Sequence, residues 1–171
     1  WRLIDKSGHE IIALHPQYDN ISFFHDGMAW DKKDSKWGFI DKNGREIIPL
    51  KYEKVGDFQE DMAMVNIGGK EDVYEHIEGG KWGFIDKSGR EIIPPKYEYI
   101  GGFKEDLACV KKDEKWGLIN KSGDEITAPQ YESIEPFRDG VFWVQKGDKW
   151  GLIDKSGREI IAPQYESIQS F

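Results

Sequence analysis

The chain has 171 residues, of which 38% are hydrophobic, 13% aromatic and 33% charged, and its formal net charge is −8. The apolar and aromatic content is enough to build a core, which argues against a disordered chain. The negative charge disfavours a nucleic-acid partner, because phosphates would be repelled, and no apolar run approaches the length of a membrane span.

A block of the form Lys-Trp-Gly-(Phe/Leu)-Ile-(Asp/Asn)-Lys-(Ser/Asn)-Gly recurs along the whole chain. Complete copies begin at Lys36, Lys81, Lys115 and Lys149, and a degraded copy opens the chain at Trp1. Self-similarity at such a period is the signature of a repeat architecture. We therefore predict a single tandem array over residues 1–171, with repeats at approximately 1–36, 37–81, 82–115, 116–149 and 150–171.

Each block predicts a β-hairpin. The turn sequence at residues 86–89 places an aspartate first and a glycine fourth, which suits a type I turn whose glycine is left-handed. Regular pairing outward from this turn sets Phe84 opposite Ile92 and Trp82 opposite Pro94. Both faces of this hairpin are apolar, and a two-stranded ribbon cannot bury two faces alone. Neighbouring repeats are therefore expected to cover them.

The glycine after each tryptophan leaves a slot that a backbone or a ring can approach closely. We expect the tryptophan of one repeat to pack across the glycine slot of the next. In the first copy Arg2 replaces this glycine, as expected of a terminal cap. The predicted structural motif residues are Trp1, Trp37, Gly38, Trp82, Gly83, Trp116, Gly117, Trp150 and Gly151.

A third strand is predicted before each tryptophan, at residues 29–30, 63–65, 108–110 and 142–144. The linking stretch with Pro-x-Tyr-Glu is interpreted as a short strand or a crossover. No segment has a sustained helical period, so the chain is predicted to be all-β. We predict three-stranded meanders stacked as an open twisted array. The alternative is a five-bladed propeller-like ring, although 34-residue repeats are short against the ~40–45 residues of a typical blade.

The Lys-Trp-Gly-x-Ile-Asp-x-x-Gly, Ile-Ile-x-Pro-x-Tyr and Ala-x-Val elements resemble the bacterial WG-containing β-repeat family, over essentially the whole chain in about five copies. The chain departs from the pattern at Arg2, at Asn120 in place of the turn aspartate, and at a long insertion in the second copy. The resemblance implies a β-rich repeat module of non-enzymatic, binding or scaffolding character. It brings no catalytic residues with it.

No catalytic, cofactor-binding or metal site is predicted. Five turn-proximal glutamates occupy equivalent environments, whereas acid–base catalysis needs two carboxyls in different ones. Each turn offers one reliable carboxylate where calcium needs six or more oxygens, and the histidine spacing fits no zinc pattern. Cys109, the sole cysteine, excludes an internal disulfide. The glutamates are Glu10, Glu46, Glu91, Glu125 and Glu159, and the histidines are His9, His15, His25 and His76.

The insertion at residues 68–80 is the best functional lead. It replaces a turn that needs about four residues elsewhere, and insertions in repeat arrays map to loops that often lie on the binding face. Glycine pairs bracket its centre, which suggests a longer hairpin. We predict partner binding through Tyr74, Glu75, His76 and Ile77; the alternative is a neutral surface insertion, because loop-closure cost grows slowly with length.

These features predict a non-enzymatic module that offers an acidic surface to a protein or peptide partner, with a glycan- or cell-wall-binding module as the alternative. In that alternative, off-motif aromatic rings stack on a sugar or enclose a cation. Core packing is the competing interpretation of the position shared by Trp30 and Trp143. Cytoplasmic, periplasmic and extracellular locations all remain open. The off-motif aromatics are Trp30, Tyr74, Tyr99, Phe142 and Trp143.

Overall fold

A computed structural model describes residues 2–4, 10–13, 19–72, 76–136 and 138–167. Every regular element in these ranges is a β-strand, which confirms the all-β prediction. The strands are β1 (Arg2–Ile4), β2 (Glu10–Ala13), β3 (Asn20–Ile21), β4 (Met28–Lys33), β5 (Lys36–Asp41), β6 (Glu46–Tyr52), β7 (Lys54–Val55), β8 (Met62–Glu71), β9 (Ile77–Asp86), β10 (Glu91–Tyr97), β11 (Tyr99–Ile100), β12 (Leu107–Lys112), β13 (Lys115–Asn120), β14 (Glu125–Tyr131), β15 (Ser133–Pro136), β16 (Val141–Lys146), β17 (Lys149–Asp154) and β18 (Glu159–Tyr165).

The strands form one two-stranded sheet, β1–β2, and four four-stranded meanders, and none of the sheets in the described ranges closes into a barrel. The meanders run β3 to β6, β7 to β10, β11 to β14 and β15 to β18. The prediction of open meanders in tandem is confirmed, with one more strand in each than expected. The extra strand is the linking stretch, whose short strand pairs antiparallel with the next strand, as Lys54 does with Asn66.

The chain divides into two compact units, Trp1–Pro95 and Lys96–Phe171. Within each unit, neighbouring sheets bury apolar faces against one another, as the two-faced hairpins predict. The core of the first unit includes Trp37, Phe39, Ile48, Tyr52, Val55, Phe58, Ala63, Val65 and Ile85. The core of the second unit includes Leu118, Tyr131, Ile134, Phe142, Val144 and Ile153.

The Asp-Lys-Ser-Gly turns form as the sequence predicts. The carboxylate of Asp86 accepts the amide of Ser88 at 2.9 Å and that of Arg90 at 3.1 Å. Gly89 donates its amide to the carbonyl of Asp86 and has a φ of +81°, a region that glycine adopts without steric cost. The Ser88 hydroxyl and these amides hold the pKa of the Asp86 carboxyl below its usual value.

The register across the hairpin differs from the regular pairing. In the second copy that pairing would set Phe39 opposite Ile47 and Trp37 opposite Pro49, and both expectations are wrong. Phe39 pairs with Ile48 and Trp37 with Tyr52, so that one residue of β5 faces three of β6. The same two irregularities occur between β13 and β14 and between β17 and β18. Proline has no amide to donate to a ladder, and a bulge on an edge strand accommodates it.

The single residue opposite the bulge is the motif glycine. A Cβ added at Gly38 would lie 2.5 Å from the carbonyl oxygen of Ile48 and 2.9 Å from the amide nitrogen of Leu50. At Gly117 and Gly151 it would lie 2.6 and 2.5 Å from the equivalent carbonyls, and Gly83 is crowded by Ile93 in the same way. The expectation that the tryptophan of one repeat packs across the glycine slot of the next is wrong, because the backbone of the adjacent strand occupies that slot.

The motif tryptophans remain close to the cores. Trp37 is only 2% exposed and belongs to the first core, and Trp116 packs against the second. Trp82 and Trp150 are partly buried. Trp1 lies outside the described residues. None of the four motif tryptophans that the structure describes therefore stands free in solvent.

Candidate functional site

The insertion lengthens two strands of the second meander. Both β8 and β9 have 10 residues, whereas the equivalent pair β4 and β5 has 6 in each strand. Pairing continues through Gly69 with Gly79, Lys70 with Glu78, and Glu71 with Ile77. We call residues 68–72 and 76–80 the ribbon. The suggested longer hairpin is therefore present.

The base of the ribbon is held by a buried asparagine. Asn66 is fully buried; its amide nitrogen donates to the carbonyl of Gly79 at 3.3 Å, and its Oδ1 accepts the amide of Gly69 at 3.1 Å. A Cβ on Gly80 would meet that Oδ1 at 2.5 Å, and Gly80 has a φ of +71°. Side chains are excluded here by both space and backbone angle. The glycine pairs thus fix how the ribbon leaves the sheet.

The tip of the ribbon closes through Asp72 and His76. The amide of Asp72 donates to the carbonyl of His76, and the amide of His76 donates to Asp72 Oδ1, both at 2.9 Å. The His76 side chain is 78% exposed, with its Nδ1 3.4 Å from Asp72 Oδ2. Of the four predicted partner-binding residues, His76 and Ile77 lie on the ribbon. Tyr74 and Glu75 lie outside the described residues.

An ion-pair cluster ties the ribbon to the preceding sheet. Glu71 lies 2.8 Å from the ammonium of Lys32 and 3.6 Å from that of Lys54. These two ammonium groups stand over the ring of Trp37, 4.8 and 4.3 Å from its centroid. The side chains of Glu71 and Lys32 are only 14% exposed, so solvent screens this pair less than a surface pair. Lys32 and Lys54 therefore link Glu71 of the ribbon to the motif tryptophan Trp37.

A buried carboxylate in β4 is the feature that the sequence analysis missed. Asp31 is fully buried, and neither of its carboxylate oxygens has a hydrogen-bond partner. It pairs with Gly38, as Val65, Val110 and Val144 pair with the motif glycines of the later sheets. Burial, and secondarily the charge of Glu46, raises its pKa to about 6. The signal was available, because Ala-x-Val becomes Ala-x-Asp in this copy alone.

The off-motif aromatics divide between core and surface. Trp30 packs edge-on against Trp37 at a centroid distance of 4.6 Å, which favours the core interpretation. Phe142 is 9% exposed and belongs to the second core. Tyr99 is 49% exposed and lies 5.3 Å from the ring of Trp116. Trp143 is partly buried, and Tyr74 lies outside the described residues. Of these rings, Tyr99 is the one best placed to meet a ligand.

Two of the recurring glutamates and histidines, Glu125 and His25, contact residues far away in the sequence. Glu125 accepts the Tyr97 hydroxyl at 3.2 Å and lies 3.6 Å from the Lys96 ammonium. His25 lies 3.7 Å from Asp57 and is half exposed. His9 and His15 are outside the described residues. In the part of the chain that the structure describes, no three His, Cys, Asp or Glu side chains gather as a metal site would require.

Membrane insertion through a helix has no support in the described ranges, where no helix of sufficient length and apolarity occurs.

Comparison with known proteins gives one family match. The family described as WG containing repeat matches residues 1–37, 37–70, 82–116, 116–150 and 150–171. Among curated proteins, none matches the chain. A structure described as the crystal structure of the eukaryotic initiation factor is similar over 92% of this chain, at 7% identity and a TM-score of 0.49. The chain spans only 46% of that protein, and nothing about function follows from so distant a likeness.

Proposed function

We propose, since this chain belongs to the WG-containing repeat family, that it is a non-catalytic binding module whose ribbon docks a protein or peptide partner. The observation that carries the proposal is the anchoring of the ribbon. Asn66 fixes its base, Glu71 ties it to Lys32 and Lys54, and its His76 tip remains exposed. A neutral insertion has no need of such attachment. A segment ordered in advance loses less conformational entropy on binding.

The ribbon also offers backbone groups for recognition. Strand β8 pairs with β7 only through Val65 and Asn66, and this pairing does not continue into the ribbon. The outer edge of residues 69–71 therefore faces no strand among the residues described. An unpaired edge can accept an extended peptide as an additional strand, with main-chain hydrogen bonds giving affinity. The exposed side chains of the tip then contribute specificity.

Removing the ribbon tests this proposal. Residues 68–80 are replaced by Asp-Glu, the two residues that connect β12 to β13 at Asp113 and Glu114. Quantitative pull-down compares the shortened chain with the whole chain. The proposal expects at least one partner of the whole chain to be lost, while the thermal unfolding curve stays cooperative. Identical partner sets for the two chains would contradict it.

A substitution at the tip tests the contribution of the exposed His76 ring, and a substitution in the second unit is its control. His76→Ala leaves the Asp72–His76 backbone hydrogen bonds in place and removes only the exposed ring. We expect weaker capture of the same partner than by the whole chain. Glu166→Ala, which removes an exposed carboxylate in the second unit, should leave capture unchanged.

A glycan-binding module is the second candidate, favoured by one observation. The half-exposed ring of Tyr99 stands beside Trp116 and offers a face for stacking on a sugar. Titration with a panel of soluble polysaccharides, followed by tryptophan fluorescence, tests it. A shift that Tyr99→Ala abolishes would support this candidate, and an unchanged spectrum across the panel would count against it.

A further inference from the structure

The turn between β5 and β6 carries a dipeptide that the equivalent turns lack. Asn43 precedes Gly44 there, whereas the other four copies place a serine before the turn glycine, namely Ser7, Ser88, Ser122 and Ser156. The backbone nitrogen that follows an asparagine can attack the carbonyl carbon of its side chain. Glycine leaves that approach open, because it has no side chain and a permissive backbone. The second copy therefore holds a reactive pair of groups that the other turns do not have.

Asn43 is also the most accessible of the four asparagines in the chain. It is exposed, and its side-chain nitrogen has a long hydrogen bond of 3.4 Å to Asp41 Oδ2. Asn66 is fully buried, and both ends of its amide are hydrogen-bonded. Asn120 is partly buried and donates its amide to a carboxylate at 2.9 Å. Asn20 is partly buried and precedes a β-branched isoleucine, which obstructs attack.

The folded turn restrains the nitrogen that would react. The amide of Gly44 donates to the Asp41 carbonyl at 2.9 Å. The Asp41 carboxylate accepts the amides of Asn43 and Arg45 at 2.8 and 3.0 Å. The Gly44 nitrogen must give up its proton and rotate toward the Asn43 side chain, so its bond to the carbonyl has to break first. Attack therefore requires local opening of the turn.

We propose that Asn43 is a deamidation site whose rate is set by opening of the β5–β6 turn. The Gly44 nitrogen forms a bond to Cγ of Asn43, the Cγ–Nδ2 bond breaks, and the proton of the attacking nitrogen passes through water to the departing ammonia. Water then opens the cyclic imide at either carbonyl carbon and leaves aspartate or isoaspartate. The overall reaction consumes water and releases ammonia. It is independent of the proposed partner binding.

Either product disturbs the turn. Aspartate at position 43 exchanges the hydrogen bond between Nδ2 and Asp41 Oδ2 for two neighbouring carboxylates, which repel each other. Isoaspartate adds a methylene group to the main chain, so the amides of Asn43 and Arg45 no longer both match the Asp41 carboxylate. We expect modified molecules to melt about 2–4 °C lower, as the loss of one hydrogen bond predicts.

Peptide mapping by mass spectrometry tests the proposal on the whole chain, incubated at mildly alkaline pH. We expect the mass gain of deamidation at Asn43 before any other asparagine. Its rate should be at least about fivefold below that of the peptide Ac-Asp-Lys-Asn-Gly-Arg-NH2, the effect of one net hydrogen bond on a rate. Asn43→Ser, which copies the other turns, should remove this signal. Asp26 and Asp139 also precede glycine, but their isomerisation leaves the mass unchanged.

Variants of the turn carboxylate test the dependence on turn opening. Asp41→Ala should speed modification at least about threefold, because two amides lose their acceptor. Asp41→Asn should stay closer to the wild-type rate, since Asn120 Oδ1 accepts the equivalent amides at 3.0 and 2.9 Å. Asp86→Ala makes the matched change in the next meander and should leave the rate at Asn43 unchanged.

Four results would each overturn the proposal. They are earlier modification of another asparagine, a rate in the folded chain equal to that of the peptide, equal acceleration by Asp41→Ala and Asp86→Ala, and an unchanged melting temperature of the modified chain. The modified chain is isolated for that measurement by anion exchange, since it carries an additional negative charge.

Discussion

Replacing Asp31 by valine should stabilise the protein, because the other three meanders bury valine at this place. The carboxyl group has a pKa of about 6 in the folded protein against its usual 3.8. That difference corresponds to roughly 3 kcal/mol of destabilisation when the group is ionised. The unsatisfied oxygens of the buried group contribute in the same direction.

The sign of the pH dependence follows from the direction of the pKa change. The folded protein holds the Asp31 proton more tightly than the unfolded chain, so stability falls as pH rises from about 4 to about 6. Above this window the full penalty applies, and below it the penalty is relieved. We therefore expect Asp31→Val to gain roughly 3 kcal/mol more at pH 7.5 than at pH 4.

Urea denaturation of the wild type and variants at pH 4, 5, 6 and 7.5 measures these free energies of unfolding. Asp31→Asn removes the charge at nearly constant volume, so it should lose the pH dependence while keeping a buried polar group. Val110→Asp, the reverse exchange in the second unit, should create a similar penalty. A valine variant less stable than the wild type at pH 7.5, or a gain that is independent of pH, would refute the reasoning.

Three further predictions concern the other contacts. Gly38→Ala should lower the melting temperature by at least ~4 °C, as expected for a loss of about 2 kcal/mol, because its Cβ would overlap the Ile48 carbonyl. Gly102→Ala, where the added atom meets nothing within 4 Å, is the control, and equal shifts would contradict the bulge argument. Glu71→Gln should speed hydrogen exchange of the ribbon amides by loosening its attachment to Lys32, whereas Glu78→Gln on the same ribbon should not; equal exchange rates would argue against that attachment. Tyr97→Phe should cost about 1 kcal/mol in urea denaturation by removing the hydrogen bond to Glu125, while Tyr52→Phe removes a buried hydroxyl without a partner and should cost nothing. A larger loss at Tyr52 than at Tyr97 would be evidence against this assignment.

The regular parts of the fold were predictable from the sequence because local chemistry decides them. An aspartate and a glycine three residues apart determine the turn, and apolar residues on either side determine the strands that it joins. The fourth strand was harder, since Lys54 and Val55 form only a two-residue pairing that leaves no alternating pattern. The bulge between β5 and β6 was also not predicted from the sequence. Its cause is the approach of the Ile48–Leu50 backbone to Gly38, which periodicity does not report.

The candidate sites show a similar division. The two glycine pairs in the sequence predicted the ribbon. The ion pair between Glu71 and Lys32 was not predictable, because the two residues are 39 positions apart and no local pattern connects them. The burial of Asp31 is likewise not reported by any local pattern. It nevertheless left a trace, since Asp31 stands where Val65, Val110 and Val144 stand in the later copies. Comparison of the copies with one another finds such exceptions, whereas reading each copy alone does not.

The closure of backbone over the motif glycine has a consequence for how this architecture evolves. Because Ile48 and Leu50 enclose Gly38 inside a single meander, this contact does not depend on the sheets packed above or below it. Duplication can then insert a new module without re-engineering its neighbours. A residue such as Asp31, which replaces the valine of the later copies, can then differ between copies while the turn and the bulge stay the same.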